Sequence, residues 1–160
     1  MGAGKSRIGR MLARRTGRRF FDLDDAIEGQ YGQTIASIFS KDGEQVFRHL
    51  ETRMLARMLR HPPAVIATGG GAFLAGINRR LIARTGVSIY LATRPCILWQ
   101  RVARETHRPL IAGPDGQRRL RALSRCRHAL YALATREIHV EGPERPVALA
   151  ERICNELFSV

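Results

Sequence analysis

The sequence predicts a three-layer α/β/α fold built on a parallel sheet. Short apolar runs alternate with longer amphipathic ones along the 160 residues, the pattern of strands joined by helical crossovers. The chain opens Met1-Gly2-Ala3-Gly4-Lys5-Ser6, matching the end of the phosphate-binding pattern G-x-x-x-x-G-K-[ST] at Gly4, Lys5 and Ser6. Asp22 and Thr68-Gly69-Gly70-Gly71 both follow apolar runs directly, at the strand ends where open parallel sheets hold ligands.

The elements follow in order. Ile8, Met11 and Leu12 recur at i, i+3, i+4 and predict an amphipathic helix over 5–15. A helix opening at Gly4-Lys5 aims free backbone N–H groups and a positive dipole end at an anion. Lys5 adds a point charge for phosphates, and the Ser6 hydroxyl is a ligand for Mg²⁺. A flexible Gly-rich start before an ordinary basic helix is the alternative. Strands are expected at Arg19–Asp22, Ala64–Thr68, Val87–Leu91 and Glu137–Val140. Further helices are expected over 24–31, 34–40, 43–60, 76–84, 95–104, 117–134 and 146–158.

Composition narrows the function classes. This length suits one domain with a real core, 1–160. No apolar run approaches the ~20 residues of a membrane-spanning helix. Cys96, Cys126 and Cys154 are far apart and lack metal-ligand spacing, which fits free thiols in a reducing cytoplasm. Net charge is +13, and Lys5 and Lys41 are the only lysines among 27 basic residues. The arginines are dispersed and stacking aromatics are few, so polyanionic small substrates, or simply an arginine-rich proteome written by GC-rich codons, are favoured over nucleic acid.

Five constellations carry chemistry. Asp22 and Asp24 close the apolar strand Phe20-Phe21; two carboxylates there can serve a metal and a substrate separately. Capping of a helix over 25–31 by Asp24 or Asp25 explains them equally well. In Asp42-Gly43-Glu44-Gln45-Val46-Phe47-Arg48-His49-Leu50-Glu51, Asp42 and Gln45 suit a capping box. Arg48 and Glu51, at i and i+3, can pair so that a guanidinium stands ready for a carboxylate. On these residues alone an exposed salt bridge is the simpler reading. Three consecutive glycines after a buried strand let backbone approach a ligand closely. Thr106-His107-Arg108-Pro109-Leu110 and the Gly/Pro-rich residues after it read as a lid, about 105–116, carrying Arg108, or as an ordinary surface loop. Arg127 and Tyr131 share one face of a helix; they line a site, or the tyrosine simply packs on the core.

Together, in this order, GAGKS, D-x-D, G-E-x-x-F-R-x-x-E, GGG-A, RPL and R-x-x-x-Y resemble shikimate kinase across nearly the whole chain. The resemblance implies a P-loop NTPase fold of the nucleoside-monophosphate-kinase type with a mobile lid. It implies transfer of the γ-phosphoryl of ATP to the 3-hydroxyl of shikimate, on the route to chorismate and aromatic amino acids, in a cytoplasmic monomer. ATP and Mg²⁺ are the implied cofactors. Gly2, Ala3, Gly4, Lys5 and Ser6 would hold the nucleotide phosphates, with Ser6 and Asp22 serving Mg²⁺. Asp24 would hold shikimate hydroxyls and take the proton. Arg48 and Arg127 would grip the carboxylate, with Glu51 orienting Arg48. Gly70 and Gly71 would contact shikimate by backbone, between walls formed by Phe39 and Phe47. Arg108 would cover the phosphates, and Arg101 would stack on adenine.

The chain departs from the family at Arg7, where a small hydroxyl residue is usual, and at Ala129, where proline is usual. The family's first strand and the first Gly of its phosphate loop would lie before Met1. That strand is expected between the ones ending at Thr68 and starting at Val87. Without it the chain is expected to be poorly folded or inactive, since a central strand outweighs the ~5–15 kcal/mol of stability a domain has. A ligand-sensing domain without catalysis, and a related kinase such as one acting on gluconate, are the competing readings.

Overall fold

The computed structural model describes residues 2–60, 62–103, 113–142 and 144–158, with residue 158 described by its backbone only. Its elements run α1 (Lys5–Thr16), β1 (Arg19–Asp22), α2 (Leu23–Tyr31), α3 (Ile35–Lys41), α4 (Gly43–Met58), β2 (Ala64–Ala67), a 3₁₀ turn (Ala72–Leu74), α5 (Gly76–Thr85), β3 (Ile89–Thr93), α6 (Pro95–Val102), α7 (Gly116–Tyr131), β4 (Arg136–Val140) and α8 (Pro146–Phe158).

All strand pairing among the described residues is parallel. β1 lies beside β2 with Asp22 opposite Ala67; β3 lies beside β4 with Thr93 opposite Val140. Among the described residues these are two separate two-stranded sheets, rather than one continuous sheet.

Helices cover both faces because strand side chains alternate. Phe21 of β1 and Ile66 of β2 pack against a core of Leu23, Ile27, Ile38, Phe47 and Leu55 from α2, α3 and α4. Val65, next to Ile66, points the other way. It joins Ile8 and Leu12 of α1, Ile138 and Val140 of β4, and Leu149 and Ile153 of α8. Ile89 and Leu91 of β3 pack on that same second cluster. One helical layer, α1 and α8, therefore lies over both strand pairs.

Between the pairs runs an apolar cleft of about 1160 Å³, bounded by β2 on one side and β3 on the other. Ordinary interiors hold few voids larger than a water molecule. Among the described residues no helix is long and apolar enough to cross a membrane.

Several expectations shift by a residue or two. The strand expected at Val87–Leu91 runs Ile89–Thr93, because its ladder partners on β4 begin at Arg136. The 43–60 helix ends at Met58, and the helix expected over 117–134 is α7, Gly116–Tyr131. Of the expected lid, only 113–116 fall among the described residues, and Gly116 already belongs to α7.

Candidate active site

The phosphate loop is shaped by two left-handed glycines. Gly2 has φ 69° and Gly4 φ 80°, conformations that cost a residue with a Cβ. Gly4 is the N-cap of α1 and its carbonyl accepts from Ile8 N at 2.9 Å. No side chain caps this end and its first turn holds no acid, so its N–H groups and dipole suit an anion. Lys5 and Ser6 follow at once. Arg101, at the end of α6, reaches the Gly2 carbonyl at 3.4 Å. Arg7 is exposed.

Asp22 ties the loop to β1. Its Oδ2 accepts from Ser6 Oγ at 2.5 Å, and its Oδ1 accepts from Asp24 N at 3.1 Å. The second bond makes Asp22 the N-cap of α2. This corrects the capping alternative that rested on Asp24 or Asp25: the helix begins at Leu23, two residues earlier. Asp24 is thereby left without a capping task.

Asp24 Oδ1 is buried and has no hydrogen-bond partner among the described residues. Burial raises the Asp24 pKa; the neighbouring Asp22 charge adds to the effect and Lys5 opposes it. Raised carboxyls in such settings are of the kind that exchange protons at functional sites.

Arg48 lies on α4 in a cage of its own. Its Nη1 donates to Glu51 Oε2 at 2.9 Å. Its Nε and Nη2 both donate to Glu44 Oε1, at 3.3 and 3.1 Å. The guanidinium lies over the Phe47 ring at 5.1 Å and 5.8 Å from that of Phe39, and the two rings pack with centroids 4.6 Å apart, tilted by 40°. A guanidinium has five N–H donors. Three are engaged here, leaving one on each terminal nitrogen, the number a carboxylate's two oxygens use. Burial opposes the Arg48 charge, yet the bonds to Glu51 and Glu44 leave its pKa raised. Glu51 is 1% exposed; burial raises its pKa against the pull of Arg48.

The three glycines make room rather than turns. None of Gly69, Gly70 and Gly71 has positive φ. A Cβ on Gly69 would sit 2.8 Å from Asp24 Oδ1 and 3.1 Å from Glu51 Oε1. A Cβ on Gly71 would fall inside the Arg48 guanidinium. Two carboxyls and a guanidinium thus press directly on this backbone. The Gly70 carbonyl accepts from Tyr131 Oη at the end of α7, and the Tyr131 ring packs on Tyr90 of β3 at 5.2 Å. Arg127, one turn before Tyr131, lines the same cleft as Gly69 and Gly70.

The expected residues Lys5, Ser6, Asp22, Asp24, Arg48, Glu51, Gly70 and Gly71 therefore form one connected set, with Arg127 and Arg101 at its borders. Arg108 lies outside the described residues. Asp42 precedes α4, but its side chain makes no cap bond, which corrects the expected capping box: Gly43, at φ 83°, turns the chain there instead. Glu44 was missed as a second carboxylate on Arg48, although its i, i+4 spacing is a sequence signal. Asn78 was also missed. It is fully buried, donates to Ala72 O at 2.9 Å and fastens the turn after Gly71; nothing local in the sequence marks it.

A parallel α/β fold whose uncapped glycine-rich loop opens a helix beside strand-end carboxylates is of the P-loop NTPase type. The family model for shikimate kinase matches residues 1–158. A shikimate kinase of Cereibacter sphaeroides is 46% identical over 147 residues, 92% of this chain and 73% of that protein. One of Psychrobacter cryohalolentis is 39% identical, covering 99% of this chain and 86% of that one. Among solved structures, a shikimate kinase from Acinetobacter baumannii in complex with shikimate matches with TM-score 0.93 and 38% identity, over 99% of this chain and 89% of that one. The chain belongs to the shikimate kinase family.

Proposed function

We propose that this chain transfers the γ-phosphoryl of ATP to the 3-hydroxyl of shikimate. The observation that carries the reading is the Arg48 cage: a guanidinium fixed by Glu51 and Glu44, with one donor left on each terminal nitrogen, beside an Asp24 carboxyl whose Oδ1 has no partner among the described residues. This arrangement suits an acceptor with a carboxylate at one end and a hydroxyl at the other. Arg48 and Arg127 bind the carboxylate; Phe39 and Phe47 wall the ring. Gly70 and Gly71 meet the acceptor with backbone. Asp24 holds the hydroxyls and accepts the proton of the reacting one. That oxygen bonds to the γ-phosphorus as the bond from phosphorus to the β-phosphate oxygen breaks, and ADP leaves. Gly2 to Ser6 cradle the nucleotide phosphates, Lys5 and Arg108 neutralise developing charge, and Arg101 borders the nucleotide base.

Ser6 Oγ and Asp22, 2.5 Å apart, are the hard oxygen donors that Mg²⁺ prefers. They would hold the ion, which supplies charge neutralisation at the phosphates when bound. The reading extends to a cytoplasmic monomer that works on small molecules rather than nucleic acid or membrane.

The test is ADP release with shikimate, with gluconate and with neither. Shikimate-dependent turnover is expected. No turnover with shikimate in a folded protein that binds ATP would overturn the proposal.

A further inference from the structure

We propose that Tyr131 is a positioning residue for the acceptor: by holding the Gly70 carbonyl it turns the Gly71 N–H toward the acceptor's carboxylate. The inference rests on the acceptor reading above and adds a residue that reading does not use.

The carbonyls after β2 come first. Each one from Gly69 to Ala72 has a partner. Gly69 O accepts from Ala72 N at 3.3 Å, and Gly71 O from Leu74 N at 2.9 Å. Ala72 O accepts from Asn78 Nδ2 at 2.9 Å. These three partners belong to the turn itself and to α5, which follows it. Gly70 O is held instead from a distant element, by Tyr131 Oη 61 residues on.

The donors on the same stretch are left open. The Gly71 N–H makes no hydrogen bond to any described residue, although Gly71 is buried. A buried N–H without a protein partner is completed by a ligand or by water.

Gly70 O and Gly71 N belong to one peptide unit. That unit is planar and trans, so its C=O and its N–H point in opposite directions. Fixing the carbonyl on the end of α7 therefore fixes the N–H on the side away from it. The Arg48 guanidinium stands against the same residue, its Nη1 2.1 Å from where a Gly71 Cβ would be. One donor on each terminal nitrogen of Arg48 is unused by Glu44 and Glu51. Three open donors thus gather about one glycine. An ionised carboxylate is acceptor-only, with two oxygens and about four lone-pair sites, and can take all three.

The tyrosine is held so that it can act as a strut. Its ring packs on Tyr90 of β3 with centroids 5.2 Å apart, and Tyr90 lies 6.0 Å from His128, one turn earlier on α7. Consecutive glycines carry no side chain to restrict their peptide planes. The bracketed hydroxyl supplies the restraint that Gly70 and Gly71 lack. Arg127, on the same face of α7, lines the cleft beside Gly70. One helix therefore carries an arginine for the carboxylate and also sets the backbone donor that meets it. Packing on Tyr90 needs only the ring; the hydroxyl is what reaches the loop.

The test is Tyr131→Phe, which keeps the ring on Tyr90 and removes only the hydroxyl. In the acceptor-free protein the Gly71 amide is read by nitrogen-15 relaxation. Its order parameter is expected to fall from about 0.85 in the parent toward ~0.6 in the variant, while the Arg127 amide keeps its own. In steady-state assays the KM for shikimate should rise about tenfold. The kcat and the KM for ATP should change by less than about twofold, the pattern of lost acceptor binding alone. A purely structural tyrosine would lower the urea midpoint without that split. Saturating the parent with shikimate should move the Gly71 amide proton downfield, a readout that does not depend on how well the variant folds. An unchanged Gly71 order parameter, an equal KM for shikimate in the two proteins, or a Gly71 amide unmoved by shikimate in the active parent would each overturn the proposal. A parent without shikimate-dependent turnover would sink the kinase reading instead, and the Gly71 order parameter would still decide whether Tyr131 sets this peptide.

Discussion

Gly71→Ala tests whether the third glycine exists to admit Arg48. Its backbone, φ −92° and ψ −25°, suits alanine, so no backbone strain accompanies the change. The added Cβ would overlap the guanidinium. An arginine tip is flexible, and the direct clash is relieved by its swinging away. The cost lies in what it leaves: Glu51, 1% exposed, loses its 2.9 Å bond to Nη1. An unsatisfied buried group costs about 1–3 kcal/mol, and alanine returns about 0.4–1 kcal/mol through the unfolded chain. Net destabilisation should be about 0–2.6 kcal/mol, centred near ~1.3 kcal/mol, from those same ranges. The KM for shikimate should rise about tenfold or more, because a charge-assisted bond to the acceptor is worth ~1.5–3 kcal/mol. Gly29→Ala in α2 is the control, since no atom of the described residues lies within 4 Å of a Cβ built there; it should stabilise by about 0.5–1 kcal/mol. Urea denaturation and acceptor-saturation kinetics read both. If Gly71→Ala matched Gly29→Ala in stability and left KM unchanged, the spatial role assigned to this glycine would be wrong.

Three further outcomes are expected. Asp24→Asn should lower kcat by about 10²–10⁴-fold. Burial raises the Asp24 pKa above its ordinary 3.8, so its contribution to stability is full below pH 3.8 and is lost as pH rises through the folded value. The variant should therefore gain stability relative to the parent as pH rises above that point, which urea midpoints across pH would show. Asp22→Asn keeps the helix cap, because Asn caps as well as Asp; its stability should fall by less than about 1 kcal/mol, whereas Asp22→Ala should lose ~1 kcal/mol or more. Both should lose phosphoryl transfer, separating the cap from the chemistry. Arg127→Gln should raise the KM for shikimate about tenfold or more and leave thermal stability nearly unchanged, since no bond from Arg127 to another described residue is present.

Much of this was legible locally. Helix α1 was readable from Ile8 and Leu12, and β1 from its phenylalanines ending at Asp22. The Arg48–Glu51 pair was readable from its spacing, though not its burial. An exposed salt bridge and a buried one have the same i, i+3 signature, and only the packing of α4 on α2 and against the backbone at Gly69 puts Glu51 inside. The capping of α2 went to Asp22 because the chain turns at the strand's last residue, a backbone event that Asp24 and Asp25 do not reveal. Asn78 left no trace because its partner, the Ala72 carbonyl, is defined by a turn that exists only in the folded chain.

The order of motifs, the strand ends that carry them and the parallel α/β class were determined by the sequence alone. These rest on periodicity and on residue chemistry, both local properties. The tertiary structure decided how the glycine run is used, because close approach of Asp24, Glu51 and Arg48 arises from three elements converging. It also decided the pairing of the strands into two parallel couples with an apolar cleft between them. Pairing partners are chosen by backbone edges in space, and no local pattern states which edges will meet.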